Sequence, residues 1–450
     1  MLEEKVLNIK NVNHNMTYDF KKEVRANLNS TSVKREIEKA RKAYDSFSKR
    51  YMYKLDLKNP KSVKKVYNDA EKLGIFKQAK EIRELIFGKD MEFYGVVYLW
   101  DKCCNYCIYC PGSVQNREKA IKEGKEYPLR ELSVEEAIED TKAVMKDGHT
   151  HVCYLTGEWP GVGLYPKKMA NYLEELDKLG LKEIILNIPP QTTEGFKIMK
   201  KAVKKTSIQF RVFQETYNPD VFARVHIAGP KSDYKFRIES QERALEAGFD
   251  NVGLGTLFGL NRYPLEEIEG LKSHAERIKK RYKKQPSRVC LPSANFLEGI
   301  GCSIPYILER GEYDKYGEII KRNNYELFDE LMYALTRLAM PTLSIVSSER
   351  DPPGMLKILD QYATCTTLNV HPGVGDNIEF HKRKSEELGH KYKSKNREVH
   401  FEQATVFPRD AQDTLEEMKI RGYSPILGKI SNITKNKGDV FDKPVEEIID

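Results

Sequence analysis

Residues 99–112 read Leu99-Trp-Asp-Lys-Cys-Cys-Asn-Tyr-Cys-Ile-Tyr-Cys-Pro-Gly112, and this short stretch contains four of the chain's 8 cysteines. Three of them, Cys103, Cys107 and Cys110, are spaced Cys-x3-Cys-x2-Cys. Such close spacing lets one loop surround an iron-sulfur cluster, and three thiolates for four irons leave one iron free for another ligand. The stretch therefore predicts an iron-sulfur site whose free iron binds a ligand with chelating amino and carboxylate groups.

Other interpretations stay open on spacing alone. Cys104 forms an equally regular Cys-x2-Cys-x2-Cys with Cys107 and Cys110. Zinc is the main competitor, but a structural zinc site normally takes four protein ligands, and no second Cys or His pair with finger spacing follows Cys110. Four buried thiols without a chemical role are disfavoured because cysteines seldom cluster so tightly without chemistry.

Composition bounds the class of protein. With 450 residues, 40% of them hydrophobic and 32% charged, the chain can bury a large core, and the length suits a single-domain barrel. The 75 basic and 67 acidic residues are mixed along the chain, so the net charge of +8 gives little reason to expect a nucleic-acid partner. The sequence has no run of eighteen apolar residues and no signal-peptide pattern at its start, so we expect a cytoplasmic protein without a membrane partner.

Patterning along the chain divides it into three parts. Residues 1–88 are polar and predict an N-terminal helical extension, and residues 375–450 predict a charged C-terminal extension that packs on the central part. Residues 89–374 alternate short apolar, β-rich runs with amphipathic segments, as a parallel sheet of βα units does. Eight such units predict an α/β fold, a (βα)8 TIM-type barrel with an N-terminal helical extension and a C-terminal mixed tail. The predicted strands are 94–99, 151–155, 183–188, 208–213, 251–254, 287–291, 342–346 and 362–368.

Polar residues and glycines recur where these strands end. In a (βα)8 barrel the active site lies at the C-terminal ends of the strands, because the βα loops converge there. The cysteines follow the first predicted strand, and the other candidates are Gly157 and Glu158 after the second, Asn187 at the third, Glu215 after the fourth, Gly253 and Gly255 at the fifth, and Ser347, Ser348 and Arg350 after the seventh. This recurrence predicts a single site.

The Cys-x3-Cys-x2-Cys spacing with an aromatic residue before the last cysteine resembles the signature of the radical S-adenosylmethionine (SAM) superfamily. The resemblance implies that Cys103, Cys107 and Cys110 hold a 4Fe-4S cluster, that SAM chelates the fourth iron, and that Tyr109 packs against the adenine. It also implies reductive cleavage of SAM to start radical chemistry on a small-molecule substrate, with an electron donor such as ferredoxin or flavodoxin.

From about residue 81 to 427 the chain resembles one branch of that superfamily, the aromatic amino-acid lyases. The most specific segments are 213–217, 229–234, 243–248 and 252–260. The branch includes the tyrosine lyase of FeFe-hydrogenase maturation, the 2-iminoacetate synthase of thiamine synthesis and tryptophan lyases of antibiotic pathways. The resemblance implies a full (βα)8 barrel and a lyase-like reaction of the Cα-Cβ cleavage type on an aromatic amino acid or a related substrate, in cofactor biosynthesis.

By position, several residues match cofactor-binding residues of the branch. Gly157 and Glu158 match the motif that hydrogen-bonds the SAM amino group, and Glu215 and Arg243 match positions that reach SAM's polar atoms. Gly253 and Gly255 suit close approach of the cofactor, and Asn187 joins the set through its place at a strand end. The competing interpretations are a β-turn at residues 157–158, a surface salt bridge for the charged residues and a bulge for the glycines.

Two departures from the branch bear on the substrate. The hydrogenase-maturing lyase carries a C-terminal Cys-x-x-Cys for a second cluster, whereas residues 422–428 here contain no cysteine, so assembly of an iron carbonyl-cyanide unit is not implied. The branch's Ser-Thr-Arg-Glu motif, whose arginine is placed to hold the substrate carboxylate, appears here as Ser347-Ser348-Glu349-Arg350. Either Arg350 compensates or the substrate is not a free amino acid.

The alternative function is a radical SAM enzyme with a non-amino-acid substrate in metallocofactor assembly, such as the iron-guanylylpyridinol cofactor of a hydrogenase. A non-catalytic metal-binding scaffold is a third possibility. We expect Ser347, Ser348 and Arg350 to lie at the substrate.

Overall fold

The computed structural model describes residues 30–124, 129–159, 163–294, 302–371, 373–378, 399–400, 405–407 and 409–427. Residues 1–29 of the predicted N-terminal extension and most of the predicted C-terminal extension lie outside these ranges. In the described part of the chain, no helix combines the length and the apolar character that crossing a membrane requires.

Within the described residues, eight parallel strands close into a barrel. The strand order is β1-β3-β4-β5-β7-β8-β11-β12, and β12 returns to pair with β1, with Cys365 opposite Glu92. The barrel strands are β1 (Asp90–Trp100), β3 (His151–Thr156), β4 (Glu183–Asn187), β5 (Ser207–Arg211), β7 (Asn251–Gly255), β8 (Arg288–Cys290), β11 (Ser344–Val346) and β12 (Cys365–Thr367). Each of the eight predicted strands is present, and the predicted (βα)8 architecture is confirmed.

The strands form where the sequence is almost continuously apolar, because helices cover their outer faces and side chains fill the interior. In β1, for example, every residue from Phe93 to Trp100 is buried. Several strands are shorter than predicted. β5 ends at Arg211 and β8 at Cys290, and the residues that follow them enter the loops at the barrel mouth.

Helices surround the barrel and extend it at the N-terminal side. They are α1 (Thr31–Tyr51), α2 (Lys61–Lys72), α3 (Ile75–Phe87), α4 (Val114–Lys122), α5 (Val134–Lys146), α6 (Tyr165–Leu176), α7 (Thr193–Ala202), α8 (Pro219–Val225), α9 (Tyr234–Ile238), α10 (Ser240–Glu246), α11 (Leu265–Tyr282), α12 (Asn324–Ala339), α13 (Pro353–Leu359) and α14 (Ala411–Ile420). Helices α1, α2 and α3 pack against α12. The Tyr67 hydroxyl of α2 donates to Glu330 of α12 at 2.8 Å, so this helical layer is tied to the barrel by polar as well as apolar contacts.

The remaining strands are short. β2 (Tyr106–Cys107) pairs antiparallel with β6 (His226–Ala228), and two further pairs are β9 (Glu312–Tyr313) with β10 (Ile319–Lys321) and β13 (Val399–His400) with β14 (Thr405–Val406). β15 (Ser424–Ile426) pairs in parallel with the start of β1, where Ser424 lies opposite Asp90. The described end of the chain therefore adds to the sheet beside the barrel seam.

Candidate functional site

The cysteine loop follows β1 at the C-terminal end of the barrel. Its backbone is fixed on two sides, since β2 pairs with β6 and the amide of Ile108 donates to the carbonyl of Val225 at 3.0 Å. The Arg117 guanidinium, from α4, donates to the carbonyl of Cys103 at 2.8 Å. These bonds fix the backbone of the loop that carries the thiols.

Three of the four cysteines of the loop face one cavity, and the fourth does not. Cys103, Cys107 and Cys110 line a cavity of about 930 Å³ of empty space, here called the outer cavity, together with Tyr109, Glu158 and other residues of the barrel mouth. Cys104 does not line it, because its thiol donates to the carbonyl of Glu158 at 3.1 Å. The three thiols of the Cys-x3-Cys-x2-Cys set therefore face one space, and the fourth is engaged by backbone.

The chemistry of these donors suits a cluster better than a single ion. Among the described residues, no group of three His, Cys, Asp or Glu side chains is arranged to hold one metal ion. Burial raises the pKa of Cys110 to about 12 and raises that of Cys107 further. Three thiols spread along the wall of a cavity large enough for a ligand fit a cluster with one open coordination position.

A carboxylate and an amide link the cysteine loop to the loop after β3. Glu158 is 8% exposed and accepts a hydrogen bond from Asn105 Nδ2 at 2.7 Å, and burial raises the pKa of this carboxyl. Gly157 also lines the outer cavity, and a Cβ there would lie 2.2 Å from the carbonyl oxygen of Lys102. Only glycine allows the two backbones to approach this closely.

A buried charged group also lines the outer cavity. Glu215 accepts hydrogen bonds from Lys231 Nζ at 2.7 Å and from Arg237 Nη2 at 3.3 Å, and all three residues line the cavity. Glu215 also adopts a φ of 69°, a left-handed conformation that side chains other than glycine rarely take and that clusters at functional sites. The group offers a carboxylate and two cations to a zwitterionic ligand.

Tyr109 lines the outer cavity with its ring fixed from behind. Nδ1 of His226 lies 3.0 Å from the carbonyl of Phe222, which can only accept, so Nδ1 carries the proton and Nε2 accepts from the Tyr109 hydroxyl at 2.9 Å. Burial, followed by nearby Lys231, lowers the pKa of His226 to about 2, which keeps this imidazole neutral. The tyrosine ring is therefore held in one orientation at the edge of the site.

Three predicted cofactor residues do not line the outer cavity. Arg243 donates to the carbonyls of Gln191 and Phe236. Gly253 and Gly255 leave room for neighbouring side chains instead of a cofactor, because a Cβ would lie 2.8 Å from Arg211 Cγ and 2.2 Å from Phe213 Cδ1, respectively.

Two residues that the sequence analysis did not single out, Lys231 and Arg237, lie at the outer cavity instead. Lys231 lies within residues 229–234, one of the segments that most resemble the lyase branch, so the sequence indicated this region. Arg237 and Arg243 lie in the same helical region, and the sequence does not predict which of the two side chains points toward the cavity.

A second cavity of about 700 Å³, here called the inner cavity, continues into the barrel. Leu155, Asn187, Phe213 and Arg350 line both cavities. Most of the inner wall is apolar or aromatic, and its polar members are few; the residues that line only the inner cavity are Tyr94, Val96, Cys153, Arg211, Cys290, Leu291, Pro292, Tyr333, Val346, Ser348, Glu349, Thr367 and Val370.

The segment after β11 divides between this cavity and the barrel wall. Ser348 and Arg350 line the inner cavity, whereas Ser347 is fully buried and donates to Asp360 at 3.1 Å, outside both cavities. Glu349 lines the inner cavity but is 1% exposed, and its oxygens accept from the amides of Asn369 and Val370 at 3.0 and 2.8 Å.

Arg409 supplies a further partner for Glu349, with an ion-pair distance of 3.3 Å. The carboxylate is thus tied to backbone amides and to a guanidinium, so its charge is compensated within the protein.

Comparisons with known proteins agree with this geometry. The family model described as the Radical SAM superfamily matches residues 97–275. The 2-iminoacetate synthase of Salmonella typhimurium is 28% identical over 191 residues, which are 42% of this chain and 46% of that protein. The Escherichia coli enzyme of the same name is 27% identical over 187 residues, 41% of this chain and 45% of that protein. The chain thus matches less than half the length of these relatives.

Solved structures show the same fold over a longer stretch. The FeFe-hydrogenase maturase HydG from Carboxydothermus hydrogenoformans superposes with a TM-score of 0.62 at 24% identity, covering 88% of this chain and 86% of that one. Methylornithine synthase superposes with a TM-score of 0.56 at 17% identity, covering 85% of this chain and 97% of that one.

The resemblance predicted from the cysteine spacing is confirmed over residues 97–275, which match the radical SAM family model. The chain is related to 2-iminoacetate synthase, and its barrel has the fold of HydG.

Proposed function

We propose that the protein is a radical SAM enzyme that holds a 4Fe-4S cluster on Cys103, Cys107 and Cys110, binds SAM in the outer cavity, and acts on an aromatic amino acid or a related small molecule in the inner cavity. The observation that carries the proposal is the junction of the two cavities, since the cavity that the three thiols line shares Leu155, Asn187, Phe213 and Arg350 with the cavity of the apolar barrel interior. Bound together and reduced by one electron, the cluster and SAM supply a 5′-deoxyadenosyl radical.

The residues of the outer cavity fit the polar ends of SAM. Glu158 and Glu215 provide acceptors for an ammonium group, and Lys231 and Arg237 provide donors for a carboxylate. Tyr109 offers a fixed aromatic surface to the adenine. The buried position of these groups strengthens each electrostatic interaction and excludes water from the place where the radical forms.

The inner cavity supports an aromatic substrate. Tyr94, Phe213 and Tyr333 line it, and they favour a flat apolar body. Because Glu349 is compensated by Arg409, it need not repel a substrate carboxylate.

Arg350 is half-buried at the junction of the cavities and makes no hydrogen bond or ion pair within the described part of the chain. It can hold a substrate's polar end toward the radical. We propose a cytoplasmic role in cofactor biosynthesis, with reduction by a ferredoxin or flavodoxin.

Single cysteine variants test the proposal. Reconstituted without oxygen, Cys103→Ser, Cys107→Ser and Cys110→Ser should lose the brown chromophore and the release of 5′-deoxyadenosine from SAM and dithionite. Cys104→Ser is the matched control, because this thiol faces the Glu158 carbonyl, and it should retain both. A Cys104 variant that behaves like the other three would overturn the ligand assignment. Failure of the fully loaded wild type to cleave SAM would overturn the enzymatic function.

A further inference from the structure

Arg211 differs from the other buried arginines. The structure describes five arginines in the buried class, and four of them donate to carboxylate or carbonyl oxygens: Arg83, Arg237, Arg288 and Arg337. Arg211 is 2% exposed and donates only to the thiol of Cys153, at 3.0 Å. Its Nε and Nη1 have no partner among the described residues.

Among the described residues, no anion compensates the charge of Arg211. The guanidinium lies 4.6 Å from the centre of the Tyr94 ring, which supplies a cation–π contact but no negative charge. A buried cation without a carboxylate is costly, because the desolvation penalty is not repaid. Arg288, in the interior of the same barrel, forms ion pairs with Glu183 at 2.5 Å and Glu92 at 3.2 Å. Such pairing with carboxylates is usual for a buried arginine.

The fold makes room for this side chain at the inner cavity. Arg211 is the last residue of β5 and lines the inner cavity. Its neighbour across the strand pair is Gly253 of β7, and any larger residue there would press on the Arg211 stem, since a Cβ would lie 2.8 Å from Cγ. A strand glycine that makes room for a guanidinium without an anionic partner among the described residues indicates a binding site for an anion.

We propose that Arg211 binds a carboxylate of the substrate inside the barrel. Two guanidinium groups line the inner cavity, and that of Arg211 is the more deeply buried. One buried guanidinium matches one carboxylate in charge and in geometry. The ion pair with the carboxylate offsets the free-energy cost of desolvating Arg211 and holds the substrate body between the aromatic residues. Only the description of this ligand as a substrate rests on the proposed function.

Equilibrium binding tests the proposal without turnover. The probes are 3-(4-hydroxyphenyl)propionate and its neutral counterpart 4-propylphenol, titrated into the anaerobic holoenzyme. A charge-assisted hydrogen bond in a buried site should make the carboxylate bind about tenfold more tightly or better. Arg211→Met should remove this preference, and Gly253→Ala should reduce it by displacing the guanidinium. Arg288→Lys is the control, because Arg288 does not line the cavity, and it should keep the preference.

A wild type without the preference, or an Arg211→Met variant that keeps it, would overturn the proposal. If Arg211→Met does not fold, Gly253→Ala decides, and an unchanged preference in that variant counts against Arg211. Release of 5′-deoxyadenosine is measured in parallel. A carboxylate preference without SAM cleavage would refute the proposed function and support the anion site at Arg211. SAM cleavage without the preference would support the proposed function and refute the anion site.

Discussion

Replacing Gly157 with alanine tests how the cysteine loop and the SAM-binding loop depend on one another. The added Cβ would lie 2.2 Å from the carbonyl oxygen of Lys102 and 2.7 Å from its carbon. Both are backbone atoms, so no side-chain rotation can relieve the contact. Overpacking of this kind typically costs about 1–3 kcal/mol of folding free energy.

The strain should reach the cofactor site. The amide of Gly157 donates to the carbonyl of Trp100 at 2.8 Å, and the next carbonyl, that of Glu158, accepts from the Cys104 amide at 3.2 Å. Moving these loops apart shifts Glu158 and the thiols relative to one another. Because misplacement by about 1 Å can cost about a hundredfold in rate, we expect 5′-deoxyadenosine formation to fall by about tenfold to a hundredfold.

The assay compares Gly157→Ala with Gly163→Ala, whose added Cβ meets nothing within 4 Å. Urea midpoints, iron content and the rate of 5′-deoxyadenosine release are measured for both. The control should match the wild type. A Gly157→Ala protein with the wild-type urea midpoint and rate would refute the argument that backbone contact between the two loops shapes the site.

Two further predictions concern charged residues. Arg237→Gln should raise the Kd for SAM by about tenfold, because one charge-assisted hydrogen bond is lost. Arg243→Gln should lower the urea midpoint and leave the Kd for SAM unchanged. Isothermal titration calorimetry measures the Kd of both variants, and the opposite pattern would restore Arg243 as a SAM ligand. Burial would raise the pKa of Glu242, but His274 and Arg277 lower it to about 2, so its contribution to stability is present above about pH 4.5 and is lost as the pH falls toward 2. The difference between the urea midpoints of the wild type and Glu242→Gln should therefore be larger at pH 6 than at pH 2.5; an equal difference at both would contradict this assignment.

The fold could be predicted because its signals are local. Each barrel strand is a short apolar run between amphipathic segments, and eight of them leave few other arrangements. The convergence of the cysteine loop with the residues after β3 and β5 followed from the same rule, since βα loops meet at one end of a barrel.

Side-chain direction was harder to predict. In a strand, alternate residues face opposite sides. That alternation does not continue beyond β11, because Ser347 is turned toward Asp360 while Ser348, Glu349 and Arg350 all line the inner cavity. Whether Arg237 or Arg243 reaches the outer cavity depends on how the short helices α9 and α10 pack, which no local pattern specifies.

The environment of Arg211 could not be predicted from the sequence either. In the part of the chain that the structure describes, Arg211 has no carboxylate partner, and the residues around it come from β1, β3 and β8, which meet only in the closed barrel. A single arginine in an apolar run gives no sign of whether it is paired.

If Cys103, Cys107 and Cys110 hold a four-iron cluster, one iron is left for SAM. The Mössbauer spectrum of protein reconstituted anaerobically with 57Fe, recorded before and after addition of SAM, tests this arrangement. We expect a cluster spectrum in which SAM changes the parameters of one iron in four and leaves the other three as they were. A spectrum that SAM does not alter, or a mononuclear iron signal, would contradict it.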